Sequence, residues 1–203
     1  MDDVVKGFIE GLIATSLIEW IAVATGVAYV ILAARKSIFC WVFAIISSGI
    51  YMYLCISVDY ILESFLQFFY VIMAIVGWVM WNKSKLDNYP IVKWKPNFHV
   101  FNIGVSAVIC LVLGYYFDES TDQAYPYLDA FTTVFSLAAT YMVMQRVLEN
   151  WIYWIVIDIA GMFLYAAKGF YLSAVLYFAF TIIAVFGYLA WRKKYRELNL
   201  KHD

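Results

Sequence analysis

The sequence predicts an all-α membrane protein: seven transmembrane helices arranged as two parallel three-helix repeats joined by one linker helix (3+1+3). Three observations predict it: 65% apolar against 14% charged residues, seven apolar runs separated by charge clusters, and self-similarity at a fixed offset of 110 residues. Soluble domains carry about 25% charged residues. The charges available over 203 residues are too few to cover a water-facing globule of that size. Each span needs about 20 mainly apolar residues, so seven of them leave only short loops.

The elements follow in order. Residues 1–16 form an N-terminal outer segment; it opens Met1-Asp2-Asp3, acidic where a signal peptide is basic, and is expected to be retained. Apolar runs at 17–34, 38–57 and 60–81 make the first repeat within 17–83. Residues 84–126 hold an inner loop, the linker helix at 98–117 and an outer loop. Runs at 127–145, 149–167 and 170–191 make the second repeat within 127–193, and 194–203 form a cytoplasmic tail.

Orientation follows from the basic residues, which concentrate on the cytoplasmic side. With the N-terminus outside and the C-terminus inside, twelve of the 14 Lys and Arg face inward, and only Lys6 and Lys168 face outward. The outer side carries Asp2, Asp3, Asp59, Asp118, Glu119 and Asp122. The expected location is the cell (inner) membrane, as a multi-pass protein in the lipid bilayer.

Composition excludes several functions. A net charge of −1 gives no footprint for nucleic acid. Cys40, Cys55 and Cys110 lie singly in apolar runs, which fits neither a disulfide framework nor a zinc site. His99 and His202 are the only histidines, so no metal or other cofactor is expected. No G-x-x-x-x-G-K-[ST] loop is present, so ATP is not hydrolysed and the chain is not read as an enzyme.

The repeat pairs Trp41 with Trp151, Leu54 with Leu164, Leu66 with Leu176, Ala74 with Ala184, Gly77 with Gly187, Trp81 with Trp191 and Lys83 with Lys193. Glu19 with Asp129 and Lys36 with Arg146 preserve charge at the same offset. One helix between the triplets makes the second enter the membrane in the same sense as the first. That is one of the two repeat geometries of secondary transporters, whose substrates bind near the midplane at the repeat interface.

Polar residues mark the pathway. Asp158 lies near the centre of the sixth span, where a charge costs at least about 2.5 kcal/mol on insertion scales. Trp151, Trp154 and Tyr165 share its helix face. A ligand contact and a structural carboxyl, bonded to a neighbouring Ser, Tyr or Trp N–H or held protonated, both fit that position. In the third span Glu63, Gln67, Tyr70, Ala74, Gly77 and Trp81 alternate by four and three on one face, polar in one half and small in the other. An intramembrane Gln pairs between helices or binds solute. Glu63 also suits the helix dipole. Asp129, Thr133, Ser136 and Thr140 form a hydroxyl stripe; Glu19 and Asp129 read as helix caps, and Trp81 and Trp191, beside inner basic residues, as interfacial anchors.

A buried carboxylate with indole and phenol faces, amides and hydroxyls suits a flat cationic or neutral polyhydroxylated aromatic solute, since aromatic faces attract cations and stack on heterocycles. With no ATP-binding loop, movement is by diffusion or ion coupling.

The run Glu149-Asn150-Trp151-Ile152-Tyr153-Trp154-Ile155-Val156-Ile157-Asp158, then Leu164-Tyr165, Lys168-Gly169 and Leu176-Tyr177, resembles the signature region of the PnuC-type nicotinamide riboside transporters. Leu66-Gln67-Phe68-Phe69-Tyr70 with Gly77-Trp78 and Trp81 is similar to that family's other motif, and the resemblance spans about 17–193. It implies a 3+1+3 fold, facilitated diffusion of nicotinamide riboside and trapping by a separate cytosolic kinase, and it allows a homotrimer. It also carries a substrate-binding role onto Trp151, Trp154, Asp158, Gln67 and Tyr70. The small cationic heterocyclic vitamin could equally be thiamine, which the same family carries. Related chains can have an amide where this one has Asp158, which would mark altered substrate choice or proton involvement. From a different class, a seven-helix sensor matches the span count, but a retinal protein needs a lysine in its last span and residues 170–190 contain none. A membrane-embedded enzyme lacks a histidine cluster or close carboxylate pair to work with.

Overall fold

The first span starts at a capping box: the Ser16 side chain accepts from the Glu19 N–H while the Glu19 carboxylate reaches back to the Ser16 N–H. Ser16 is the N-cap, and Glu19, which the sequence suggested as a cap, completes it from the first turn. The computed structural model of the chain describes residues 2–57, 61–83 and 90–199. Within them lie α1 (Asp2–Ala14), α2 (Leu17–Ala34), α3 (Cys40–Ser57), α4 (Ile61–Lys83), α5 (Pro96–Ser120), α6 (Pro126–Met144), α7 (Asn150–Ala167) and α8 (Tyr171–Asn199).

Seven of the helices, α2 to α8, are long and apolar enough to cross a bilayer, so this is a multi-pass membrane protein. Two helices, α5 and α8, outrun the expected spans the most. Pro96 needs no backbone donor at a helix start, and α5 begins there and runs to Ser120. The last span continues through the basic cluster as far as Asn199. A further helix, α1, occupies the N-terminal segment.

The offset of 110 reappears in the backbone. α2 ends at Ala34 and α6 at Met144, while α3 starts at Cys40 and α7 at Asn150. Lys36 and Arg146, the equivalent residues in the intervening turns, both adopt positive φ, at 60° and 56°. Each donates its N–H to a carbonyl three residues back, Ala33 and Val143, at 2.9 Å.

The chain divides into two compact units. One comprises Thr15–Val92, Val143–Leu148 and Phe186–Asp203. Here α3 packs on α2 through Ser47, whose hydroxyl donates to the Ala22 carbonyl at 2.9 Å, and on α4 through Trp41, which lies over Gly77. A Cβ at Gly77 would sit 2.6 Å from the Trp41 ring, so only glycine allows this approach. Trp41 meets Trp81 edge-on at 5.4 Å, and Trp81 meets Trp191 at 6.4 Å. Val92 and Val147 form a parallel bridge, with bonds from the Val92 N–H to Arg146 and from the Leu148 N–H to Val92.

The other unit comprises Met1–Ala14, Lys93–Met142 and Glu149–Val185. Its α7 is buried along Trp151, Ile157, Asp158, Gly161 and Leu164 and exposed along Ile152, Val156, Ile159 and Phe163. The exposed apolar stripe is the lipid face of a span, where hydrocarbon takes the place of a protein partner. Helix α5, expected to be the linker, is exposed along most of its length, from Phe98 to Tyr116.

Candidate functional site

Asp158 is the candidate residue with the most distinctive placement. It sits midway along α7, only 4% exposed, and among the described residues no hydrogen bond or ion pair reaches its carboxylate. A structural carboxylate bonded to a neighbouring side chain would show a donor in reach. Of the two roles open to Asp158 in the sequence, a bonded structural one is therefore not what the described residues display.

The residues around it follow from the helical period. Trp151 lies two turns before Asp158 and is fully buried, while Trp154, one turn before, is half-buried. One turn beyond lies Gly161, where a Cβ would meet the Tyr177 ring at 2.5 Å. The missing side chain lets Tyr177 of α8 lie against α7. Tyr165 then stacks on Tyr177 at 5.1 Å with the rings 22° apart. Asp158 is thus flanked along α7 by indoles on one side and stacked phenols on the other. This set places a carboxyl group and several ring faces along one stretch of the helix, groups that suit a flat cation.

The polar face expected on α4 is real as a face. Ala74, Gly77 and Trp81 are buried, Gln67 and Tyr70 are half-buried, and Phe65, Phe68, Phe69, Ile72, Ile75 and Val76 are exposed on the other side. Tyr70 lies in electrostatic range of Tyr29 of α2. The Glu63 side chain lies outside the described residues. The structure brings Trp151, Trp154 and Asp158 together on α7 in one unit, and Gln67 and Tyr70 together on α4 in the other.

Several polar residues do something other than expected. Trp81 and Trp191 are not interfacial anchors: they are 1% and 0% exposed, and their indole N–H groups cap helix carbonyls. Asp129, expected as a cap, stands in the first turn of α6 and its carboxylate instead takes an ion pair from Lys168 and a hydrogen bond from Gln123. The hydroxyl stripe of α6 is partly self-satisfied, with Thr140 donating to the Ser136 carbonyl at 2.8 Å. Arg146, counted among the inward-facing charges, is 1% exposed, with its guanidinium 4.7 Å from the Trp81 ring.

Sequence reasoning quoted Tyr177 only within the signature run, with no role, and did not single out Gly161, although a glycine one turn after Asp158 was a visible signal for close approach. It also missed the polar cluster joining α5 to α7. There His99 Nδ1 meets the Tyr153 hydroxyl at 3.1 Å, and Glu149 accepts the Trp94 N–H.

The nicotinamide mononucleotide transporter family model matches residues 16–193. The nicotinamide riboside transporter PnuC of Escherichia coli (strain K12) is 23% identical, across 90% of this chain and 87% of its own length. PnuC of Neisseria mucosa is 25% identical, across 85% of this chain and 71% of its own. A solved structure described as the crystal structure of the vitamin B3 transporter PnuC superposes with a TM-score of 0.72 at 22% identity, covering 96% of this chain and 89% of that one. That likeness shows a shared fold.

Proposed function

The chain belongs to the nicotinamide mononucleotide transporter family, and from that premise we propose that it carries nicotinamide riboside across the cytoplasmic membrane by facilitated diffusion. A separate cytosolic kinase then traps the product by adding a phosphate. The observation that carries this reading is Asp158, a carboxylate buried in mid-span with indoles on its own helix face and no protein donor among the described residues. Nicotinamide riboside brings a pyridinium charge for the carboxylate, a flat ring for the indoles, and an amide and a ribose for neutral hydrogen-bonding groups.

Trp151 and Trp154 are assigned to stacking on the ring, and Asp158 to its charge. Gln67 and Tyr70 of α4 carry a substrate-binding assignment from the motif they share with the family. The helix ends and positive-φ turns that recur at an offset of 110 support the 3+1+3 arrangement, with the domain limits 17–83 and 127–193. The charge bias supports an inner-membrane protein with its N-terminus outside. A homotrimer is compatible with this reading.

Calorimetric titration of the purified protein tests it. Nicotinamide riboside should bind, thiamine should compete weakly, and Asp158→Asn should weaken binding of the riboside while leaving the protein folded. Tight binding of thiamine with none of the riboside would replace the substrate, and unchanged riboside binding by Asp158→Asn would remove Asp158 from the site.

A further inference from the structure

The N-terminal helix α1 is not one of the spans, and its three faces differ in chemistry. Successive residues turn by about 100° around a helix, so positions four apart share a face. Gly7 and Gly11 form the first face, and both lie against α8: a Cβ at Gly7 would meet the Tyr171 ring at 2.7 Å, and one at Gly11 would meet Leu172 at 3.3 Å. Lys6 and Glu10 form the second face, strongly exposed and paired at 4.0 Å. Val5, Ile9 and Ile13 form the third, and these large apolar side chains are 53%, 48% and 80% exposed.

Water is a poor partner for that third face, and the chain leaves α1 close to another medium. Only Thr15 and Ser16 separate it from α2, so its last residue lies within roughly 11 Å of the first residue of a span. Tyr171 and Leu172, which Gly7 and Gly11 face, are the first two residues of the span α8. A helix tied to a span's first turn lies at the bilayer surface. With 13 residues it is too short to cross.

We propose that α1 is an interfacial helix, docked by Gly7 and Gly11 on the start of α8, with Val5, Ile9 and Ile13 buried among the lipid acyl chains just below the headgroups. Lys6 and Glu10 then face the headgroups and water, as in other amphipathic surface helices. The glycine contacts couple the bilayer surface to the helix that carries Tyr177.

Photocrosslinking of the full-length protein in phosphatidylcholine and phosphatidylglycerol vesicles tests this. With p-benzoylphenylalanine at Ile9 or Ile13, intact-mass measurement should show lipid adducts several-fold more abundant than with the same group at Lys6 or Glu10. Equal adducts at all four positions, or a crosslinked dimer from Ile9 in place of lipid adducts, would overturn the proposal. As a second measurement, Ile9→Asp with Ile13→Asp should speed amide exchange over residues 2–14 several-fold in vesicles, and unchanged exchange would count against it.

Discussion

The indole N–H of Trp81 donates to the carbonyl of Met144 at 3.0 Å. Its counterpart runs the other way: Trp191, one repeat offset on from Trp81, donates to Ala34, one offset back from Met144, and to Ala33, each at 3.1 Å. Helix α4 thus caps α6 and α8 caps α2, where the last carbonyls of α2 and α6 lack partners inside their own helices. Such an exchange is what a two-fold relation between two parallel repeats produces, and it supports that arrangement. Losing either indole N–H leaves a buried carbonyl unpaired, at about 1 to 3 kcal/mol. Trp81→Phe and Trp191→Phe should therefore both lower the melting temperature in detergent, whereas Trp20→Phe, at a site 37% exposed, should leave it unchanged. A Trp191→Phe protein as stable as the parent would break the reciprocity.

Glycine sites sort themselves by what a methyl group would meet. At Gly77 it would strike the Trp41 ring, which is held by Trp81 on one side and Tyr29 at 6.1 Å on another. At Gly161 it would strike Tyr177. Overpacking of this kind costs about 1 to 3 kcal/mol. At Gly49 nothing lies within 4 Å, and alanine there gains up to about 1 kcal/mol of helix propensity. Thermal unfolding should rank Gly49→Ala at or above the parent and Gly77→Ala and Gly161→Ala below it.

The Lys168–Asp129 pair joins the turn after α7 to the first turn of α6, with both side chains less than a quarter exposed, at 19% and 23%. Its coupling should fall between about 1 kcal/mol for exposed pairs and about 3 kcal/mol for buried ones. A double-mutant cycle of Lys168→Met and Asp129→Asn, followed by chemical unfolding, measures it directly. Strict additivity of the two changes would show that the pair contributes nothing to stability.

The spans were legible because an apolar run of that length has one stable place to go, and Asp158 was legible because its charge interrupts such a run. Helix α1 was not, since 13 residues with Lys6 and Glu10 inside them carry too little apolar length to register as a span. Trp81 and Trp191 were misread for a related reason. A tryptophan next to lysines and arginines fits the membrane boundary, and only the tertiary contact with Met144 and Ala34 distinguishes a buried donor from an anchor. Arg146 shows the limit of counting charges by side, because its guanidinium stacks on Trp81 and also donates to the Trp81 carbonyl at 3.4 Å. The aromatic wall beyond Asp158 depends on which ring fills the notch at Gly161, and that is set by packing between helices rather than by periodicity within one.

Uptake of labelled nicotinamide riboside by liposomes containing the purified protein tests the central claim most directly. The riboside should equilibrate across the membrane without ATP or an ion gradient, and Asp158→Asn should slow its entry although the protein inserts and folds as before. Uptake no greater than that of protein-free liposomes would contradict the account.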